Sequence, residues 1–176
     1  MASTLCDILQ LIAIGGGVLG CLFMIIAARL VPSFAEPAPK GRRAGPAVTI
    51  LKPLHGDEPG LFECLASFCR QDYDGEVQIV FGVSDPRDPA IAVVERLRAA
   101  YPEKTLELVV DPRIAGINPK VANLINMSPQ IRHEIVVIAD SDIRVMPDYL
   151  SRIVAALERQ GGGGLTCPYY GIAAPD

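Results

Sequence analysis

The chain opens on an apolar run that follows no surface period. Residues 8–28, ILQLIAIGGGVLGCLFMIIAA, carry no charge over 21 positions, enough to cross the hydrocarbon core of a bilayer as a helix. After residue 46 the pattern changes to short apolar runs separated by turns. AVTILKPL (47–54) predicts a strand ending at Pro53, and Pro59 opens a helix with Leu61, Cys64, Leu65 and Phe68 at helical spacing. VQIVFGVS (77–84) predicts a second strand. Asp88 then caps a helix that begins at Pro89 and carries Ile91, Val94, Leu97 and Arg98. TLELVV (105–110) predicts a third strand, and the polar break DPRIAGINPK (111–120) leads into a short helix from about 120 to 127. EIVVIAD (134–140) predicts a fourth strand. A helix from Pro147, PDYLSRIVAALERQ, stops at Gly161–Gly164, and LTCPYY (165–170) predicts a last short strand.

Strands alternating with helices argue for an α/β fold, a mostly parallel sheet with helices on both faces. In such sheets ligands bind beyond the carboxyl ends of the strands. Asp85 follows the second strand and Asp140 and Asp142 close the fourth, so all three fall there. No internal repeat is present. The expected organisation is an anchor over 1–31, a linker over 32–46 and the α/β portion over 47–176. The linker rests on VPSFAEPAPKGRRAGP (31–46), rich in proline and small residues.

Charge sets the expected topology. Arg29, Lys40, Arg42 and Arg43 follow the apolar run, and no basic side chain precedes it. A signal peptide would want a basic start and a shorter apolar core, so a retained transmembrane helix is expected. The positive-inside rule then places the α/β portion in the cytoplasm, on a single-pass protein of the cell (inner) membrane. Gly16 and Gly20 form a small-xxx-small pair in the run, but glycine is common in membrane helices. The formal net charge is −4, with no Trp and no basic stripe, which argues against a nucleic-acid partner. Five cysteines without a C-x-x-C pair, and only two histidines, leave no zinc site and suit a reducing compartment.

The sharpest chemical signal is IVVIADSDIRV (135–145), an apolar strand running into two aspartates. A D-x-D at a strand end can hold a divalent cation through hard oxygen ligands, and the cation can bridge a diphosphate. Asp140 and Asp142 would point to opposite sides of a continuing strand, so the motif needs a loop beginning at about Ser141. Arg144 could add positive charge beside the same phosphates. The plainer alternative is two solvated loop carboxylates, one paired with Arg144. Phosphatases of the D-x-D-x-[T/V] kind also place two aspartates after a strand, but Arg144 stands where Thr or Val belongs.

Asp85 is either a turn residue before Pro86 or an acceptor for a nucleobase or ribose. Asp88 reads as a helix cap. Lys120 sits near a helix start, where backbone N–H groups and its ammonium could together meet an anion; the alternative is a solvated loop lysine. Gly161–Gly164 lacks a following G-K-[ST] and reads as a helix stop.

Taken in order, TILKPLHGDEPGL, VSDPRDPAI, GINPKVANL and ADSDIRVMPDYL resemble the ceramide glucosyltransferase-like family of inverting GT-A glycosyltransferases. Its bacterial branch associated with hopanoid biosynthesis is the nearer resemblance, which covers 47 to about 170. The resemblance implies a GT-A-like fold and a UDP-sugar donor. It also implies transfer to a lipid hydroxyl, on a ceramide- or hopanoid-type acceptor, with inversion. It implies that Asp85 contacts the nucleotide, that Lys120 lies near the donor phosphates, and that Asp140 and Asp142 hold Mg²⁺ or Mn²⁺. Family members continue with a third aspartate taken as the catalytic base, a Q/R-x-x-R-W segment and further membrane helices. This chain has no Trp and ends at Asp176, so the expectation is a truncated donor-binding half without its base. Neither Asp148, inside a predicted helix, nor Asp176 is taken for that base. A D-x-D phosphohydrolase using Asp140 as nucleophile and a catalytically inactive membrane partner protein remain as alternatives.

Overall fold

The structure, a computed structural model, describes residues 2–30 and 45–171. The chain divides into two compact units, Met1–Pro37 and Ala38–Asp176. In the first, α1 (Ala2–Leu30) is one uninterrupted helix. Its stretch Cys6–Leu30 is long and apolar enough to cross a membrane; 25 residues rise about 37 Å, against a hydrocarbon core of about 30 Å. Leu11, Ile14, Leu19 and Phe23 are all exposed on it, so the helix is apolar all round rather than along one stripe. Lys40, Arg42 and Arg43, and most of the expected linker, lie outside the described residues.

Among the described residues of the second unit, four parallel strands form one sheet in the order β3-β2-β1-β4. They are β1 (Val48–Pro53), β2 (Val77–Val83), β3 (Thr105–Val110) and β4 (Ile135–Ile138). Between and after them come α2 (Leu61–Cys69), α3 (Ala90–Ala100), α4 (Pro119–Met127) and α5 (Tyr149–Arg159). Successive strand residues point to opposite faces, and two cores result. Val48, Ile50, Phe81 and Val137 pack with Leu65 and Phe68 of α2, Leu97 of α3 and Leu150 of α5. Leu51 and Val80 pack with Met127 of α4 on the other face. The helices therefore cover both faces, as the alternation implied.

The polar residues inside these strands are accounted for. Buried Thr49 donates to Gln78 Oε1 at 2.8 Å across the β1–β2 pair, and the Gln78 amide donates to the Gln130 carbonyl at 2.8 Å. Close approach of α4 depends on Gly82, where an added Cβ would lie 2.4 Å from both Asn123 Oδ1 and Met127 Sδ. Asn123 uses that closeness, donating to the Gly82 carbonyl at 2.8 Å.

Several elements differ from the expected ones, and α3 begins at Ala90 rather than Pro89. α2 begins at Leu61, because Gly60, at φ 78°, takes the left-handed turn that precedes it; Pro59 belongs to that turn. α5 begins at Tyr149, which leaves Pro147 in a turn and Asp148 at the N-cap position rather than inside the helix. β4 stops at Ile138, and the backbone turns just beyond it. Residues 165–170 form no strand and are exposed throughout; Pro168 has no N–H to give a ladder.

Candidate functional site

The site is built where β1 and β4 end side by side. In β1 the alternation that buries Val48 and Ile50 carries Lys52 onto the same apolar face, where it is fully buried. Its ammonium lies 4.1 Å from the centroid of the Phe68 ring and donates to the carbonyl of Asp140. Burial pulls the pKa of Lys52 down from 10.5 to about 8, while Cys64, Asp140 and Asp142 pull it back up.

The same Asp140 carbonyl accepts from the Ile143 N–H at 3.3 Å, closing a turn over Asp140–Ile143. This is the change of direction that two aspartates on one strand end required. Ser141 donates to Glu58 Oε2 at 3.0 Å, and the Cys64 thiol approaches the Asp142 carbonyl at 3.4 Å. The turn is thus tied to the floor and to the segment around α2. The Asp140 carboxylate, half exposed, is paired with the Lys120 ammonium from the first turn of α4. Asp142 is exposed beside it.

The start of α4 departs from expectation. Asn118 is its N-cap, and its side-chain oxygen accepts from the N–H groups of Lys120 at 3.0 Å and Val121 at 3.3 Å. Pro119 has no N–H, and the Ala122 N–H is bonded to the Asn118 carbonyl. The first-turn amides are therefore taken, and what Lys120 presents to an anion is its ammonium alone.

Asp85 stands just past the end of β2. With β1 between β2 and β4, the two strand ends are about 10 Å apart. The Asp85 carboxylate accepts from the Arg87 backbone N–H at 2.8 Å, which, with the Arg87 guanidinium, holds its pKa below the usual carboxylate value. Asp88 is buried and structural. It accepts from Ala90 N–H at 2.8 Å and Gly56 N–H at 3.0 Å, capping α3 and fastening the loop after β1. Arg144 does not pair with Asp140 or Asp142 among the described residues; it is exposed in the wall of a cavity with Glu63, Ser67 and Arg70 beside α2.

A family model described as Glycosyl transferase family 21 matches residues 7–175. The chain belongs to glycosyl transferase family 21. The ceramide glucosyltransferase of Gibberella zeae is 33% identical over 171 residues, 86% of this chain and 32% of that protein. The ceramide glucosyltransferase of Komagataella phaffii is 36% identical over 121 residues, 66% of this chain and 24% of that protein. The chain thus spans a third or less of the length of these relatives. Among solved structures, the mannosyltransferase PcManGT from Pyrobaculum calidifontis, in complex with GDP-Man and Mn²⁺, aligns with a TM-score of 0.51 at 25% identity. That match covers 73% of this chain and 37% of PcManGT. S. aureus TarS 1-349 aligns at 0.50 with 21% identity, over 65% and 33% of the two chains. The sheet with its flanking helices is GT-A-like.

Within this family 21 chain, Lys52, Glu58 and Asn118 are site-forming residues that motif reading passed over. Lys52 had a signal, since a lysine at a position the strand alternation assigns to the core needs a reason. Glu58 had none, because its partner Ser141 is 83 residues away. A divalent cation suits the donor set. Asp140 and Asp142 carry accessible carboxylate oxygens on one turn, while no group of three or more His, Cys, Asp or Glu gathers among the described residues. Two carboxylates with the remaining positions left to phosphate and water is chemistry of the Mg²⁺ kind.

Proposed function

We propose that this chain is the donor-binding half of a membrane glycosyltransferase. The complete enzyme moves a sugar from a UDP-sugar to a lipid hydroxyl, of ceramide or hopanoid type, with inversion. Residues 1–31 anchor it in the cell (inner) membrane, 32–46 link, and 47–176 bind the donor on the cytoplasmic side. The observation that carries the reading is the hydrogen-bonded turn after β4, which pairs the Asp140 carboxylate with the Lys120 ammonium and leaves Asp142, two residues on, exposed. Membership of family 21 and the ceramide glucosyltransferase relatives support it.

Each residue then has a task. Asp85, already fixed by Arg87, accepts hydrogen bonds from the nucleoside. Asp140 and Asp142 would hold Mg²⁺ or Mn²⁺, which, when bound, stabilises the negative charge of the departing diphosphate. Lys120 exchanges its pairing with Asp140 for a phosphate oxygen, and Arg144 adds charge from the side of α2. In-line displacement with inversion also needs a base at the acceptor hydroxyl, and we assign that task to no residue of this chain. Asp148 sits at the N-cap position of α5, 3.5 Å from Arg152, and Asp176 lies outside the described residues.

The test is calorimetric titration of UDP into the detergent-solubilised chain, with Mn²⁺ and with chelator, alongside Asp140→Asn and Asp142→Asn. Metal-dependent binding that either substitution abolishes is the expected result. No binding by a folded sample would overturn the reading.

A further inference from the structure

An ammonium is among the most costly groups to bury without a counter-charge. Lys52 is fully buried, and among the described residues no ion pair includes it. Its ammonium meets a carbonyl oxygen and an aromatic face instead. Packing alone would be served by a leucine or methionine here, since Val48 and Ile50 precede it on the same face and Phe68 lies against it. The oxygen it has taken belongs to Asp140, the residue at which the chain leaves the sheet.

We infer that Lys52 is a positioning residue: its buried ammonium holds the Asp140 carbonyl inward, so that the turn presents the carboxylates of Asp140 and Asp142 outward. Two features of the turn support this. One carbonyl serves both Lys52 and the Ile143 N–H, so the ammonium fixes the hydrogen bond that defines the turn. The charges of Asp140 and Asp142 also act on the ammonium, whose attraction offsets their repulsion in a medium less polarisable than water. The functional consequence rests on Asp140 and Asp142 being the donor site; the mechanical statement about the turn does not.

The experiment uses the full chain in detergent as parent, Lys52→Met and Lys52→Gln. Amide exchange is followed at Ile143 in the turn and at Phe81 in the centre of the sheet, and Mn²⁺-dependent UDP affinity is measured on the same samples. The expected result for Lys52→Met is exchange at Ile143 faster by about tenfold, the scale of one lost charge-assisted hydrogen bond. Phe81 should be unchanged, and UDP should bind more weakly. Unchanged exchange at Ile143 in both variants overturns the inference. Loss of protection at Phe81 together with Ile143 in both variants also overturns it, because Lys52 is then a packing residue. A parent that binds no UDP overturns the donor-site reading alone, and the exchange data still decide the role of Lys52.

Discussion

Lys120 and Asp140 are joined across the open end of the sheet, the ammonium from the first turn of α4 meeting the carboxylate that follows β4. Both side chains are half exposed, 50% and 51%. Pairs of this kind contribute little to stability, about 1 kcal/mol or less. Lys120→Met should therefore leave the thermal midpoint within a few degrees of the parent. The same substitution should weaken Mn²⁺-dependent UDP binding about tenfold, through the loss of one charged phosphate contact. A large fall in midpoint with unchanged UDP affinity would reverse the assignment.

Lys52 predicts a pH dependence of opposite sign to most lysines. Its folded pKa of about 8 is below the ordinary 10.5, so the folded chain releases this proton first. The cost of burying the charge is full below about 8 and is relieved as pH rises towards 10.5. Relative to Lys52→Met, the parent should thus gain stability over that window. Denaturant midpoints of the two proteins at pH 7 and pH 10 give the comparison, and parallel midpoints would show that the lysine does not titrate as described.

Asn118 accounts for two of the amides at the start of α4. Asn118→Ala should cost about 1 kcal/mol, seen as a lower urea midpoint with an unchanged slope. An Asp in its place should restore the cap, because its carboxylate also suits the positive end of the helix.

Gly82 is required for closeness rather than for its backbone angles. The Cβ of Gly82→Ala would meet Asn123 and Met127 at 2.4 Å, an overpacking that costs about 1–3 kcal/mol. The prediction is a lower melting temperature, partly recovered by the double variant with Met127→Ala. A neutral Gly82→Ala would mean that α4 moves away freely.

The four strands that pair and the helices between them were legible because each is a short apolar run of one period bounded by proline, glycine or aspartate. Asp88 was legible as a cap, and the turn at Ser141 followed from the geometry of two carboxylates on one strand. The segment 165–170 looked like a strand by composition, yet a strand exists only where another offers it hydrogen bonds. Asn118 was hidden behind Lys120. Residues near a helix start suggest an anion site, and only the structure shows whether a side chain has already taken the amides. Arg144 follows the same logic: adjacency in sequence to Asp142 did not bring it to the carboxylates, because the chain turns between them.

Besides Lys120, the side-chain contacts that hold the aspartate turn come from Lys52, Glu58 and Cys64, separated from their partners by 88, 83 and 78 residues. β4, which delivers the turn, has four residues and, among the described residues, pairs with β1 alone. Folding must therefore close its longest loops before this corner exists, and that is slow relative to local helix formation. The same corner can reopen by peeling β4 from β1 while β1, β2 and β3 stay paired. On this topology the aspartate turn emerges after β1, β2 and β3 during synthesis and sits at a sheet edge, where local opening leaves the pairing of those three strands intact.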